Sequence, residues 1–519
     1  MPTEDVYKQL CQHARQTAML GSIESLLGWD ERCLMPDAAG EYRAEQITLL
    51  AGMIHDRQTD RRLGDWLAEL TGGPLAKDSA SETGATIRHL KRQYDKKTRL
   101  PKSLVEELAR TSVLGQQAWQ HARRDDDFKG FAPLLEKTVR LKREQAEAVG
   151  YAETPYDALL DDFEPGELTS NVARVLGGLR DELVPLVAEI LAGGRSPDVS
   201  VLQQGFPAAA QEAFGREVAA KIGFDFGRGR LDVTAHPFCS SMGPHDCRIT
   251  TRYDEHFFNS AFFGTLHEAG HGIYEQGLPT GSFGLPPGEA VSMGIHESQS
   301  RLWENFVGRG RPFWRHFYPA LQRAFPATLG DVPLDGFYFA VNDVRASLIR
   351  VEADEATYNL HILIRFELEQ ELIADRLKVS DLPMAWNERY QSYLGIKPPN
   401  DADGVLQDIH WSAGLFGYFA TYSLGNLYAA QFFAQASADL GGPDRDGPDR
   451  DGPGLGSLAE QFARGEFAPL HAWLSEKIHR HGQRYTAAEL VQSVTGRPLE
   501  HAPLIEHLRG KFGPLYGLV

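Results

Sequence analysis

Cysteine is scarce in this chain: Cys11, Cys33, Cys239 and Cys247 are the only four among 519 residues. A chain of this length can build a core without covalent staples, so a disulfide framework is excluded and the reducing cytoplasm is the expected compartment. Cys239 and Cys247 are spaced to face each other across a hairpin, but two free thiols are the expected state. Positive charge is also short. Fifty-three Lys and Arg stand against 71 Asp and Glu, a formal net charge of -18. Nucleic acids and anionic membranes select basic surfaces, so neither is an expected partner. Long apolar runs are missing. No stretch approaches the roughly 18 residues of a membrane-spanning helix. The first residues, MPTEDVYKQLCQHARQTAML, carry acids where a secretory signal carries bases.

What is present is ordinary for a globular protein, with 42% hydrophobic and 24% charged residues. The length implies either several domains or one large helical body. Helical period dominates the first 200 residues. Leu104, Val105 and Leu108 recur at one-turn spacing, as do Leu134, Leu135, Val139 and Leu141, with Arg, Glu, Lys and Gln on the other faces. Breakers stand at Gly72–Pro74, at Gly193 and Gly194, and around Pro286–Gly288. Between Arg230 and Asp254 the runs RLDVTAHPFCSSM and DCRITTRYD flank Gly243 and Pro244, which predicts a small antiparallel hairpin. From Phe257 the pattern is helical to the end. A tandem GPDRD repeat, Gly442 to Asp451, is too polar to bury and reads as a solvated loop between helices.

The chemistry centres on His267-Glu268-Ala269-Gly270-His271. Residues four apart lie above one another on a helix, so both imidazoles can reach one metal ion while Glu268, offset around the helix, meets a water beside it. This is the HExxH spacing of zinc peptidases. Eighteen histidines make a chance match conceivable, so the surroundings matter. The preceding NSAFFGTL is apolar, which puts the helix in a core where two histidines and a carboxylate need partners. A third ligand lies 26 residues after His271, at Glu297 in GIHESQSRLWENF, far enough for a turn and a returning helix. Three ligands with an open fourth position is the catalytic pattern. His296 is the alternative. Adjacent helical positions point about 100° apart, so only one of the two ligates; the carboxylate is preferred by analogy with other sites of this spacing. The run from Ile349 to Glu369 reads as one apolar helix, on which Asp354 or Glu355 is expected to accept the free N–H of a liganding histidine.

Six elements in order extend this pattern. They are Trp29-Asp30-Glu31 followed by Met35-Pro36; His236-Pro237-Phe238; Asp246, Arg248 and Thr250 as DxRxT; His296-Glu297-Ser298-Gln299; Ile349 to Glu355; and Gly404 to Trp411 as GxxQDxHW. With the metal motif they make the whole chain resemble the carboxypeptidase Taq type of metallocarboxypeptidases. The GPDRD repeat and Ala420 depart locally from that pattern. The resemblance implies a mainly α fold: a large helical HExxH body with a deep groove and a small antiparallel β-sheet beside the metal site. It is expected to form a single peptidase unit over 1–519, with 1–200 covering the groove and 201–519, including hairpin 230–254, carrying the metal site. It also implies a homodimer that acts on peptide substrates, removing single C-terminal residues with broad specificity. A helical endopeptidase or oligopeptidase is the alternative.

The expected roles follow. One divalent ion per chain, zinc first and cobalt or manganese as alternatives, would sit on His267, His271 and Glu297. The chemistry it supplies is a polarised carbonyl and a water acidified from a pKa of about 15.7 to near 7. Glu268 would take the water proton and pass it to the leaving amine. His410 and Tyr418 would stabilise the oxyanion. Arg350 would read the terminal carboxylate through its planar guanidinium. His236, Asp246 and Arg248 would line the substrate site, with the neighbouring strand pairing to the substrate backbone.

Overall fold

A computed structural model describes residues 2–441 and 456–518. The GPDRD repeat lies outside the described residues. Five helices lead: α1 (Thr3–Cys33), α2 (Gly40–Gln58), α3 (Arg61–Thr71), α4 (Glu82–Arg99) and α5 (Lys102–Asp125). Next come α6 (Phe128–Val149), α7 (Pro155–Leu160), α8 (Thr169–Ala192) and α9 (Ala208–Ile222). The strands β1 (Gly229–Val233), β2 (Cys239–Ser241) and β3 (Cys247–Thr251) precede α10 (Phe258–Gly277) and α11 (Met293–Arg301). Then follow α12 (Arg311–Ala324), α13 (Pro326–Leu329), α14 (Leu334–Val341), α15 (Tyr358–Ile373), α16 (Leu382–Leu394) and α17 (Phe419–Leu440). After the repeat come α18 (Leu458–Ala463), α19 (Ala468–Lys477), α20 (Ala487–Thr495) and α21 (Ala502–Tyr516). The mainly helical fold with one small sheet is as expected. Among the described residues no helix is long and apolar enough to cross a membrane.

One large core runs from Ala122 to Tyr516. α10 crosses it with Phe258, Phe262, Phe263, Leu266 and Ile273 buried. Phe258 stacks on Phe262 with ring centroids 5.1 Å apart, and Trp314 closes on Phe262 at 5.2 Å. Burying each such side chain contributes about 1.5–3 kcal/mol, enough to hold a helix whose own side chains cap neither end. A second, small core joins Val6, Leu10, Leu63, Leu67, Leu70 and Ile87 of α1, α3 and α4.

The sheet order is β1-β3-β2. β2 and β3 form the expected antiparallel pair, with Ser240 opposite Arg248. β1 joins the other side of β3 in parallel, Leu231 opposite Ile249. RLDVTAHPFCSSM is therefore two strands rather than one. The intervening residues are tied down by Thr250, whose backbone N–H and hydroxyl donate to the Phe238 carbonyl at 3.0 Å each. Cys239 and Cys247 are free, with their sulfurs 3.6 Å apart.

Helix does not continue unbroken after Phe257. The segments 342–357 and 395–418 are largely irregular. The predicted helix from Ile349 starts only at Tyr358, because the Asp354 carboxylate accepts the backbone N–H groups of Ala356 and Thr357 (2.9 and 3.0 Å) and the Thr357 hydroxyl (2.8 Å). A side chain that satisfies backbone donors in this way competes with helix before it and starts helix after it.

Candidate metal centre and substrate groups

Three helices position the centre. α10 carries His267, Glu268 and His271; α11 carries Glu297 and packs against both α10 and α17. Glycines permit the close approach. A Cβ on Gly270 would stand 2.7 Å from Ser300 Cα, and one on Gly425 would stand 2.4 Å from Glu297 Cγ. α11 is only nine residues long and is anchored at its start. Ser292 Oγ accepts from Ile295 N at 3.0 Å, and the buried Glu164 accepts from Gly294 N at 3.0 Å, Ser292 Oγ at 2.8 Å and Tyr428 Oη at 3.0 Å.

His267, His271 and Glu297 each present one ligand atom, all within 4.8 Å of one another. Glu297 Oε2 lies 3.5 Å from His267 Nε2 and 3.4 Å from His271 Nε2. Two ligands about 2.0–2.1 Å from one ion at a tetrahedral angle stand about 3.3 Å apart, so these donors fit a zinc-sized ion. The other ring nitrogens are engaged. His267 Nδ1 donates to Glu304 Oε2 at 2.9 Å, and His271 Nδ1 donates to the His296 carbonyl at 3.1 Å. A carbonyl only accepts, so His271 carries its proton on Nδ1 and leaves the Nε2 lone pair for a ligand role. Glu268 is buried, and desolvation pushes its carboxyl up to about 7. A cation beside it would pull that value back down.

His296 does not join the converging group of His267, His271 and Glu297. Its ring leans on His271 with centroids 4.5 Å apart, and its Nε2 bonds Glu275 Oε1 at 2.9 Å. Neither Asp354 nor Glu355 reaches a liganding histidine. Asp354 holds the turn that leads into α15, and Glu355 pairs with Lys511 Nζ at 2.6 Å and His507 Nε2 at 2.7 Å. Glu304 takes the expected place instead. Its spacing of seven residues from Glu297, with Arg301 between them at four, was legible as one helical stripe.

Arg350 is 5% exposed and already engaged. Its Nε and Nη2 donate to Asp408 Oδ1 at 3.0 and 2.8 Å, and Nη1 reaches Tyr358 Oη at 3.3 Å. Asp408 also accepts from Arg365 Nε at 2.7 Å, so it holds two guanidiniums, which keep its carboxyl far below the ordinary range. The irregular segment that supplies Asp408 also supplies His410. Burial lowers the imidazole of His410 to about 4, and its buried Nδ1 has no hydrogen-bond partner. Tyr418 lies beside it, ring centroids 5.3 Å apart, and Tyr422 Oη stands 3.5 Å from His410 Nε2. Tyr422 was missed because sequence spacing alone does not say which of two tyrosines one helical turn apart faces the histidine.

The sheet residues divide. Arg248 forks onto Asp246 with two 2.8 Å bonds and lies 4.2 Å over Trp29 of α1. Arg230 lies 5.0 Å from the same ring. Both guanidiniums thus clamp α1 to the sheet. His236 is exposed between β1 and β2. β2 is an edge strand beside α10, where the hydrogen bond with Cys247 and burial raise the Cys239 thiol, with smaller contributions from the charges of Glu275 and Glu268.

Comparison with known proteins agrees over the full length. A sequence profile described as carboxypeptidase Taq (M32) metallopeptidase matches residues 9–512. Thermostable carboxypeptidase 1 of Thermus thermophilus is 45% identical over 527 residues, spanning 100% of both chains. Carboxypeptidase 1 of Bacillus subtilis is 38% identical, covering 99% of this chain and 97% of its own. The crystal structure of an M32 carboxypeptidase from Deinococcus radiodurans R1 superposes with a TM-score of 0.93 at 41% identity, covering 99% of this chain and 100% of that one.

Proposed function

The chain belongs to the carboxypeptidase Taq (M32) family of metallocarboxypeptidases, and from that premise we propose that it removes single residues from peptide C-termini with broad specificity, using one divalent ion, zinc first, on His267, His271 and Glu297. The observation that carries this reading is the convergence of those three ligand atoms, with both histidine Nδ1 atoms committed elsewhere. An ion bound there supplies Lewis acidity, with cobalt and manganese as substitutes.

The protein's own groups do the rest. Glu268 takes a proton from the attacking water and returns it to the departing amine. His410, neutral because of its burial, and Tyr418 donate to the developing oxyanion. Arg350 keeps its charge against Asp408 and offers the remaining Nη hydrogens to the terminal carboxylate. The free edge of β2, flanked by His236 and by the Asp246–Arg248 pair, aligns the substrate backbone. Residues 1–200 cover the groove of a single peptidase unit. The contact of α1 with residues 281–284, through Arg15 Nη2 on the Gly281 carbonyl at 3.1 Å, supports that arrangement. The chain works in the cytoplasm as a homodimer, and the exposed Met19, Ile23, Tyr42, Leu49 and Met53 of α1 and α2 supply an apolar face for a second copy.

The test is a ten-residue peptide, free or amidated at its C-terminus, followed by mass with and without chelator. The expected result is a ladder of single losses from the free peptide alone, abolished by chelator. Internal cuts in both peptides would replace the exopeptidase with an endopeptidase, and no cleavage with zinc, cobalt or manganese would overturn the metal reading.

A further inference from the structure

Arg301 closes α11 and reaches two carboxylates at once. Its Nε donates to Glu297 Oε1 at 2.7 Å, and its Nη1 donates to Glu304 Oε2 at 3.2 Å. The same Glu304 oxygen accepts from His267 Nδ1 at 2.9 Å. The other Glu297 oxygen, Oε2, accepts from Ser300 Oγ at 3.0 Å and faces both histidine Nε2 atoms. The guanidinium lies 4.5 Å from the centre of the Tyr358 ring, and its side chain is 14% exposed. Immediately after Arg301 the backbone widens into a π-helical turn, Leu302–Gly308, that carries Glu304. Such turns are uncommon and occur frequently at functional sites.

We propose that Arg301 is the positioning residue of the metal centre. It occupies Glu297 Oε1, so the carboxylate offers one oxygen to an ion, and it holds Glu304 as the acceptor for His267 Nδ1. One guanidinium thereby sets two of the three ligands. The task needs a planar fork with donors in fixed directions, and a lysine ammonium, a point charge on a flexible stem, cannot span both carboxylates in that geometry. A residue that merely neutralised two buried acids would be replaceable by lysine.

The inference rests on the metal reading above and is tested on the full chain with Arg301→Lys. Zinc affinity is measured by chelator competition, and the visible spectrum of the cobalt-loaded protein reports coordination number. The expected outcome is a zinc dissociation constant weakened about 10–100-fold, with a weaker cobalt absorption as Glu297 turns to offer both oxygens. A folded variant with the parent's zinc affinity and cobalt spectrum overturns the proposal. If Arg301→Lys does not fold, Arg301→Gln carries the test. Its short amide cannot span Glu297 and Glu304 together, and an unchanged zinc affinity overturns the proposal equally. Failure of the parent itself to take up zinc or cobalt would overturn the metal reading instead.

Discussion

The helices α10, α11 and α17 carry far fewer charged residues than the helices α1 to α4, and the two groups use them differently. Around the first group, ionisable side chains are buried and engaged: Glu164 of the loop before α8, Glu297 and Arg301 of α11, and Glu304 of the turn that follows it are each held by several partners. Backbones approach so closely that only glycine fits at 270 and 425. In the second group, six apolar side chains make a small core, α2 buries none of its residues, and Met19, Tyr42 and Leu49 stand 59–67% exposed. The lesson is that chemistry is placed where neighbours over-determine each rotamer, while the amphipathic layer is left free to cover.

Four changes sharpen or break this contrast. The largest expected effect is Glu268→Gln, which should lower kcat by about 10²–10⁴-fold with metal content and thermal midpoint unchanged, because only the proton acceptor is removed. A matching loss of metal would show that Glu268 has a structural part as well.

Next is the pH response of Glu164. Burial raises its carboxyl to about 7 from an ordinary 4.5. The folded state therefore holds a proton that the unfolded state has released across that window. Stability contributed by this group is present below about 4.5 and is lost as pH rises through 7, by up to about 3 kcal/mol. Glu164→Gln, neutral at every pH, should remove that slope from denaturant-derived stabilities measured between pH 5 and 8. A slope identical to the parent's would put the titration elsewhere.

Gly425→Ala comes third. Its Cβ would meet Glu297 Cγ and Cβ at 2.4 and 2.7 Å, so α17 must shift or Glu297 must turn. The expected stability cost is about 1–3 kcal/mol, with weakened zinc binding in the same variant. Full zinc affinity would mean that α17 yields rather than the ligand.

The smallest effect belongs to the amphipathic layer continued into α5. Lys102 and Glu106 of α5 form a 3.7 Å pair with side chains 90% and 66% exposed. Glu106→Ala should shift thermal stability by no more than about 0.5 kcal/mol. A larger loss would mean that this layer is more tightly determined than its exposure implies.

Much of the candidate site was readable in advance because it depends on local period. His267 and His271 at four residues, with Glu297 on the next helix, converge as the spacing required. The irregular segments were not readable. A stretch such as 395–418 has no period of its own, and its shape comes from Gln407 and Asp408, which bind residues some 40 to 60 positions away. The same reason explains why Arg350 found Asp408 rather than one of the acids beside it in sequence.

The sequence by itself determined the helical class, the candidate ligand trio with its neighbouring carboxylate, and the family, since each is a matter of residue type at fixed local spacing. Only the tertiary structure decided that β1 pairs in parallel with β3, that Glu304 rather than Asp354 or Glu355 bonds His267 Nδ1, that His296 stands behind His271, and that Arg301 links two carboxylates. Each of those outcomes turns on a distance between side chains or strands. Periodicity fixes which face a residue occupies, whereas packing alone fixes what that face meets.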